Sequence, residues 1–377
     1  MADVKRILIV GGGFAGLTLA SALHQRGFKP ELVERSPTWD HIAIGAGIAM
    51  QPNAMRMMRN LGMDAGIEQA GCVIRRLGFC DQQGEVLCET DLEALWDDVG
   101  PFIGIERTKL HEVLVAGAAR VPQRLGLSLT ALTQEDRGVR VTFSDGSTDE
   151  CDVVVGADGI SSTVRALTQE ASVPADLGAM NWRSVGPIRP RDLNAMRIFL
   201  GEGRFFGLVP MGGNRTYAFG YVYQPRLRDP LGGRLGRLRE RFAGFAPIVQ
   251  DYLASLDRDE QIHCAAMEWV DADEWCTGRV VLIGDAAHGS SPLMGQGGCM
   301  AIEDAWVLAE ELRSAITLES ALSSYVSRRK ARVKWVQQQS MATAEVLRLP
   351  PAIRNATLRE RGDQMMRSRF GPLIPAP

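Results

Sequence analysis

The sequence predicts an α/β fold: a Rossmann-like dinucleotide-binding domain, an inserted mixed β-sheet domain and a C-terminal helical segment. Three observations carry this reading. A glycine-rich turn joins an apolar strand to a helix near the start of the chain. Two later apolar runs, at 151–155 and 280–283, each lead within a few residues to an aspartate. An aromatic- and glycine-rich stretch with strand alternation lies between those runs.

The first unit is RILIVGGGFAGLTLASALHQRGFKPELVER, residues 6–35. It parses as a strand over 7–10, a glycine turn, a helix to about Gln25, a stop at Gly27 and a second strand over 31–33. Gly11, Gly13 and Gly16 form G-x-G-x-x-G. The first glycine makes a tight turn, the second admits backbone close to a pyrophosphate, and the third lets the helix pack on the strand. The helix N-terminus then presents unpaired amides and a positive dipole end to phosphates. Glu34 closes the second strand 23 residues after Gly11, where an acid accepts hydrogen bonds from an adenosine ribose. This order marks a dinucleotide site without deciding between NAD and FAD.

The second unit, CDVVVGADGISSTVR at 151–165, is a buried strand followed by Asp158-Gly159, Ser162 and Arg165. Asp158 reads either as a cap of the next helix or as part of a ligand site. The third, VVLIGDAAHGSSPLMGQGGCMAIEDA at 280–305, sets Asp285 at the end of another buried strand. A carboxylate there has lost part of its hydration and needs a donor. The loop continues through His288, Pro292 and Gly295-Gln296-Gly297-Gly298 into a helix whose first turns carry Glu303 and Asp304.

Taken together, these stretches resemble the class A flavoprotein monooxygenases, the aromatic-hydroxylase family that includes p-hydroxybenzoate, salicylate and 6-hydroxynicotinate hydroxylases. The resemblance rests on GGGFAG with Glu34, on D-G-x-x-S-x-x-R from Asp158 to Arg165, and on GDAAH…P…GQG from Gly284 to Gly297. Weaker pieces are GAGIAMQPNA at 45–54, ERTKLHEVL at 106–114 and YVSRRKARV at 325–333, so the likeness spans residues 7 to about 333. It implies a glutathione-reductase-like (GR2-type) FAD-binding domain, NADH or NADPH as reductant, and dioxygen as co-substrate. The implied reaction passes one oxygen atom from a flavin C4a-hydroperoxide to an aromatic or heteroaromatic small molecule. By the same resemblance, Gly11, Gly13, Phe14, Ala15, Gly16, Glu34, Arg35 and Gly47 hold the ADP half and nearby parts of FAD. Arg107 reaches the ribityl and phosphate region, Leu129 offers its backbone near the adenine, and Asp158 with Arg165 belongs to a motif linked to FAD and NAD(P)H. Asp285 accepts hydrogen bonds from the ribityl hydroxyls, while Pro292, Gly295, Gln296, Gly297 and Gly298 lie against the isoalloxazine. Small residues there let backbone amides approach a flat ring and stabilise negative charge at its edge.

Between 171 and 263 the alternating aromatics and glycine turns of RIFLGEGRFFGLVPMGGNRTYAFGYVYQ indicate antiparallel strands, and RRLGFCDQQGEVLCETD at 75–91 reads as a hairpin able to join them. The expected division is 1–74 with 92–170 and 264–333 for FAD, 75–91 with 171–263 for substrate, and 334–377 as a C-terminal helical segment. In the family such a sheet covers the flavin and carries the pocket. Arg183, Arg204, Phe206, Tyr217, Phe219, Tyr221 and Tyr223 are the pocket candidates. No catalytic residue is assigned. His288, Tyr217 and Arg204 are candidates, set against the commoner role of an aromatic stripe as core. Competing readings are a flavin monooxygenase acting on a quinolone, polyketide-like or olefinic substrate, and an NAD-linked dehydrogenase that uses the first motif alone.

The 377 residues include 42 basic and 45 acidic side chains, a formal net charge of −3, so no strong field draws nucleic acid or an anionic membrane. A small-molecule partner is expected instead. Seven cysteines form no CxxC pair and no cluster with histidine, which argues against a metal site or a disulfide framework and fits a cytoplasmic setting. Lys5-Arg6 and the uncharged run Ile7–Leu23 mimic a secretion signal, but the turn glycines and the following strand fit a folded unit better. No stretch has the length of an integral membrane span. A monomer or homodimer is expected, and the basic residues after Val333 read as a solvated helix face.

Overall fold

The computed structural model describes residues 4–41, 46–169, 173–187 and 193–377. Its first sheet has six strands in the order Cys276–Thr277, Val280–Leu282, Val153–Gly156, Ile7–Val10, Pro30–Glu34 and Gln123–Leu125. Every neighbouring pair is parallel except the antiparallel edge strand Cys276–Thr277. Parallel strands are covered on both faces, which is why Ile7–Val10 and Val153–Gly156 are apolar without alternation and buried at every position. The helix Phe14–Gln25 leaves the first strand and packs against Gly297–Ser314. Gly11 takes a left-handed φ of +111°, and a Cβ there would lie 2.4 Å from the Ala157 carbonyl oxygen. A Cβ on Gly16 would lie 1.9 Å from the Gly11 carbonyl oxygen, so the helix can seat on the turn only with glycine at this position. A three-stranded antiparallel sheet, Leu129–Glu135, Gly138–Phe143 and Thr148–Cys151, leads the chain back into Val153–Gly156.

The second large sheet has seven strands: Ile262–Trp269, Ala175–Gly186, Thr216–Tyr223, Arg204–Pro210, Met196–Leu200, Arg76–Asp81 and Val86–Asp91. The 75–91 hairpin forms its far edge. It is mixed because Met196–Leu200 pairs in parallel with Arg76–Asp81 while all other pairs are antiparallel. One face carries Trp182, Phe206, Leu208 and Ala218 into a core with the helices Arg234–Arg241 and Pro247–Ala254. Period-two alternation turns Asn181, Arg183, Phe205, Tyr217, Phe219 and Tyr221 to the other face.

The boundary expected at 333 falls inside one continuous helix, Leu318–Arg348, and the one expected at 170 lies outside the described residues. After Pro350-Pro351 a last helix, Pro351–Phe370, packs on Val86–Asp91. Its basic residues are not all solvated, contrary to the sequence reading. Arg354 is 1% exposed and donates to the Gly201 and Leu200 carbonyls at 2.7 and 3.1 Å, bolting this helix to the seven-stranded sheet. Arg369 is also buried. A guanidinium can be buried this way because its planar fork finds acceptors that meet several N–H groups at once. Among the described residues no helix is long and apolar enough to cross a membrane, and no group of three His, Cys, Asp or Glu side chains is placed to hold a metal.

Candidate active site

Between the two large sheets lies a cavity with 1820 Å³ of space unfilled by protein atoms, its open mouth included. Both sheets line it, so a cofactor held by one side and a substrate held by the other would meet there. The six-stranded side contributes the turn Gly13–Phe14–Ala15, the strand Gly47–Met50, Arg107, Asp285 and the loop from Pro292 to Gly298. The seven-stranded side contributes Asn181, Arg183, Phe205, Tyr217, Phe219 and Tyr221. Gly47 is where the two sides touch: a Cβ there would sit 2.4 Å from Tyr217 Cβ, so any larger residue would push the sheets apart.

Asp285 opens a four-residue helix immediately after Gly284, whose φ of +61° turns the chain sharply off the strand. Its carboxylate is exposed to the cavity and accepts no hydrogen bond from a described residue. Gly295 adopts φ +62°, and Gly297 and Gly298 begin an 18-residue helix whose first amides lack intrahelical partners. Arg107 begins the helix Arg107–Gly117 and lies over the Phe14 ring, 5.1 Å from its centroid. Burial and then the nearby Arg183 lower its pKa from the usual arginine value, with Asp285 opposing. Neither arginine has an ion pair with a described residue. The acid Asp285 and the cation Arg107, beside a wall of small residues fronting a helix N-terminus, fit the hydroxyls, phosphates and flat ring of FAD.

Several candidates named from sequence lie elsewhere. On the strand Arg204–Pro210 the register sends Arg204 and Phe206 to the helical face. Arg204 donates to the Arg241 carbonyl at 2.6 Å, and Phe206 packs on Phe242 with centroids 4.9 Å apart. Tyr223 shares a face with Tyr221 but lies beyond the cavity, its hydroxyl donating to the Ala344 carbonyl at 3.3 Å under Arg348. His288 is 1% exposed, 2.5 Å from Asp304, and has no access to the cavity. Asp158 caps the helix Thr163–Thr168, accepting from Ser162 Oγ and from the Thr163 and Val164 amides. Arg165 donates to the Ala286 and Ile160 carbonyls, tying that cap to the segment after Asp285. Asp158 thus makes the cap, and its neighbours Ala157 and Gly159 line the cavity. Gln296 is fully buried and turned away, bonded to Gln51 and Asn53. Leu129 is buried in the core, and Arg35 is exposed. Glu34 accepts one amide on each oxygen, from Gly12 at 2.7 Å and Ser36 at 2.8 Å, so further lone pairs remain for a ribose.

Other lining residues escaped the sequence reading. Leu77 and Phe79 come from the hairpin, Met196 and Ile198 from the next strand, and Thr343, Leu347, Met366, Arg369 and Phe370 from the two last helices. Alternation in RLGFCD was the one available signal, since it places Leu77 and Phe79 on a common face. For the helical residues there was none, because nothing local says what a distant helix packs against.

Fold and site together define a flavoprotein monooxygenase. Residues 4–340 match the family described as FAD binding domain, and the chain belongs to that family. It is 34% identical to the aurachin C monooxygenase/isomerase of Stigmatella aurantiaca, over 85% of this chain and 83% of that one. It is 30% identical to the 2-heptyl-3-hydroxy-4(1H)-quinolone synthase of Pseudomonas aeruginosa, over 89% and 87%. Among solved structures, that of Klebsiella pneumoniae HpxO complexed with FAD and uric acid superposes with a TM-score of 0.91 at 27% identity, covering 100% of this chain and 98% of that one. The protein is an oxidoreductase with FAD as cofactor, NAD(P)H as reductant and dioxygen as co-substrate.

Proposed function

We propose that this monooxygenase hydroxylates an apolar N-heteroaromatic compound, a quinolone-like bicycle bearing a hydrocarbon tail. The observation that carries the proposal is the lining contributed by the hairpin, the sheet and the last helices: Leu77, Phe79, Ile198, Leu347, Met366 and Phe370. Such a wall gains from burying hydrocarbon, at roughly 25 cal/mol per Å², and gives a small polar ring nothing to bond. The names of the aurachin and heptylquinolone relatives support the same class.

In this reading Gly13 and the helix behind it face the pyrophosphate, Glu34 takes the ribose, and Asp285 takes the ribityl hydroxyls. The amides of Gly297 and Gly298 face the ring's pyrimidine edge, where the helix dipole favours negative charge. Bound FAD supplies the redox chemistry, taking reducing equivalents from NAD(P)H and delivering one oxygen atom of dioxygen. The protein's own part is to hold the substrate ring against the cofactor and keep water out, which Phe205, Tyr221 and the aliphatic wall do. Burial pushes the Tyr217 phenol up despite Arg183 and Arg107, so it stays protonated at neutral pH and acts as a donor rather than a base.

The test is a panel of alkylquinolones, unsubstituted quinolones, simple phenols and urate offered to the FAD-loaded enzyme with NADPH, scored by hydroxylated product. Alkylquinolones should give the highest kcat/KM. Urate or a small phenol outperforming them by tenfold would overturn the substrate class.

A further inference from the structure

The strand Ala175–Gly186 brings two polar side chains to the cavity, each with a buried polar atom that no described residue satisfies. Asn181 is 3% exposed and its Oδ1 has no partner, while its Nδ2 has only the Met267 sulfur at 3.9 Å. Two residues on, and therefore on the same face, Arg183 has a buried Nε without a partner. Both line the cavity. A buried polar group left unsatisfied loses its hydration with nothing in return, so the pair is unfavourable unless a ligand completes it. The charged and titratable groups around them are Arg107, Tyr217, His263 and Asp285, and among the described residues no carboxylate pairs with Arg183.

We propose that Asn181 and Arg183 form one recognition element for the substrate ring, Asn181 accepting a hydrogen bond from a ring N–H and Arg183 donating to a ring oxygen. Their Cα atoms stand about 6.6 Å apart along the strand, a donor and an acceptor of opposite sense on one edge. The complementary ligand is a vinylogous amide in a ring: an N–H at one position, conjugated through the ring to a carbonyl oxygen across from it. A phenol satisfies only Arg183, and a simple arene satisfies neither. This rests on the heteroaromatic reading above and sharpens it, since it specifies which polar atoms the ring must carry and which residues read them.

The experiment measures dissociation constants on the FAD-loaded protein, from the flavin absorbance change, for 4(1H)-quinolone, its N-methyl derivative and 1,2,3,4-tetrahydroquinoline, which keeps the N–H and lacks the oxygen. Wild type should bind 4(1H)-quinolone at least tenfold more tightly than either analogue. Arg183→Gln should abolish the preference over tetrahydroquinoline while keeping that over the N-methyl compound. Asn181→Leu should do the reverse. Arg183→Lys, keeping the charge without the fork, should retain part of the oxygen preference. FAD retention should be unchanged in all three. Preferences unaltered by the variants would overturn the inference while the heteroaromatic reading stands. Loss of FAD from Arg183→Gln would assign that residue to the cofactor and overturn it as well. Failure of all three compounds to bind wild type would sink the inference together with the substrate class it rests on.

Discussion

Asp285 and Asp304 both border the glycine-rich loop, and their surroundings give them opposite tasks. Asp304 is fully buried and accepts from the Gly284 amide at 2.9 Å, from Arg329 at 2.8 Å and from His288 at 2.5 Å. Burial alone would push its carboxyl up, but His288 and then Arg329 outweigh burial and hold it down at about 2. A carboxyl depressed below its ordinary value of 3.8 contributes stability that is present above about pH 4 and lost as pH falls towards 2. Asp304→Asn should therefore lower unfolding free energy by roughly 3–5 kcal/mol near neutrality and flatten the urea midpoint between pH 4 and 2. A wild-type slope in the variant would contradict this. His288 belongs to the same buried set, which explains why a histidine three residues after a cofactor-facing aspartate is structural. Asp285 accepts no hydrogen bond and makes no ion pair with a described residue, and its one electrostatic neighbour in the cavity is the desolvated Arg107. Asp285→Asn should leave the melting temperature of the FAD-free protein unchanged and weaken FAD binding by roughly 10–100-fold, the worth of a charge-assisted hydrogen bond, as read by flavin fluorescence. Equal loss of apoprotein stability would show that the carboxylate serves the fold instead.

Among the elements lining the cavity, the last two helices were least legible. Leu347, Met366 and Phe370 close the apolar wall, while Arg354, buried against the Leu200 and Gly201 carbonyls, fixes the final helix in place. Met366→Trp should raise KM for a heptyl-substituted quinolone about tenfold while leaving that of the unsubstituted ring within twofold, because only the tail reaches this wall. Equal effects on both would show that the ring itself sits there. The strand–turn–helix of Gly11–Gly16 and the two strands ending near Asp158 and Asp285 were readable because each element's pattern is local: backbone approach demands glycine, and a parallel strand demands a continuous apolar run. Arg204 and Phe206 were misplaced for a definite reason. Alternation separates 204 and 206 from 205, but both faces of this sheet are covered, so hydrophobicity could not say which face meets the cavity. Asp158 posed the opposite problem. A cap and a ligand site ask for the same residue, and the Thr163 and Val164 amides show that the cap is made without bearing on the ligand role.

At the scale of the molecule, a sheet built around a dinucleotide turn and a sheet with an aromatic face enclose one space between them, closed by the C-terminal helices. The order of motifs made the architecture and the cofactor legible. The chemistry of the pocket was not, because Leu77, Asn181, Arg183 and Phe370 converge from segments that share no local pattern. In the proposed reaction this enclosure delivers an oxygen atom from dioxygen to an apolar heteroaromatic ring. Its most direct test is turnover of the FAD-loaded enzyme with an alkylquinolone and NADPH under ¹⁸O₂, with mass analysis of the product. The account predicts one ¹⁸O atom incorporated into the ring for each NADPH consumed. NADPH oxidised only to hydrogen peroxide, or product oxygen drawn from water, would contradict it.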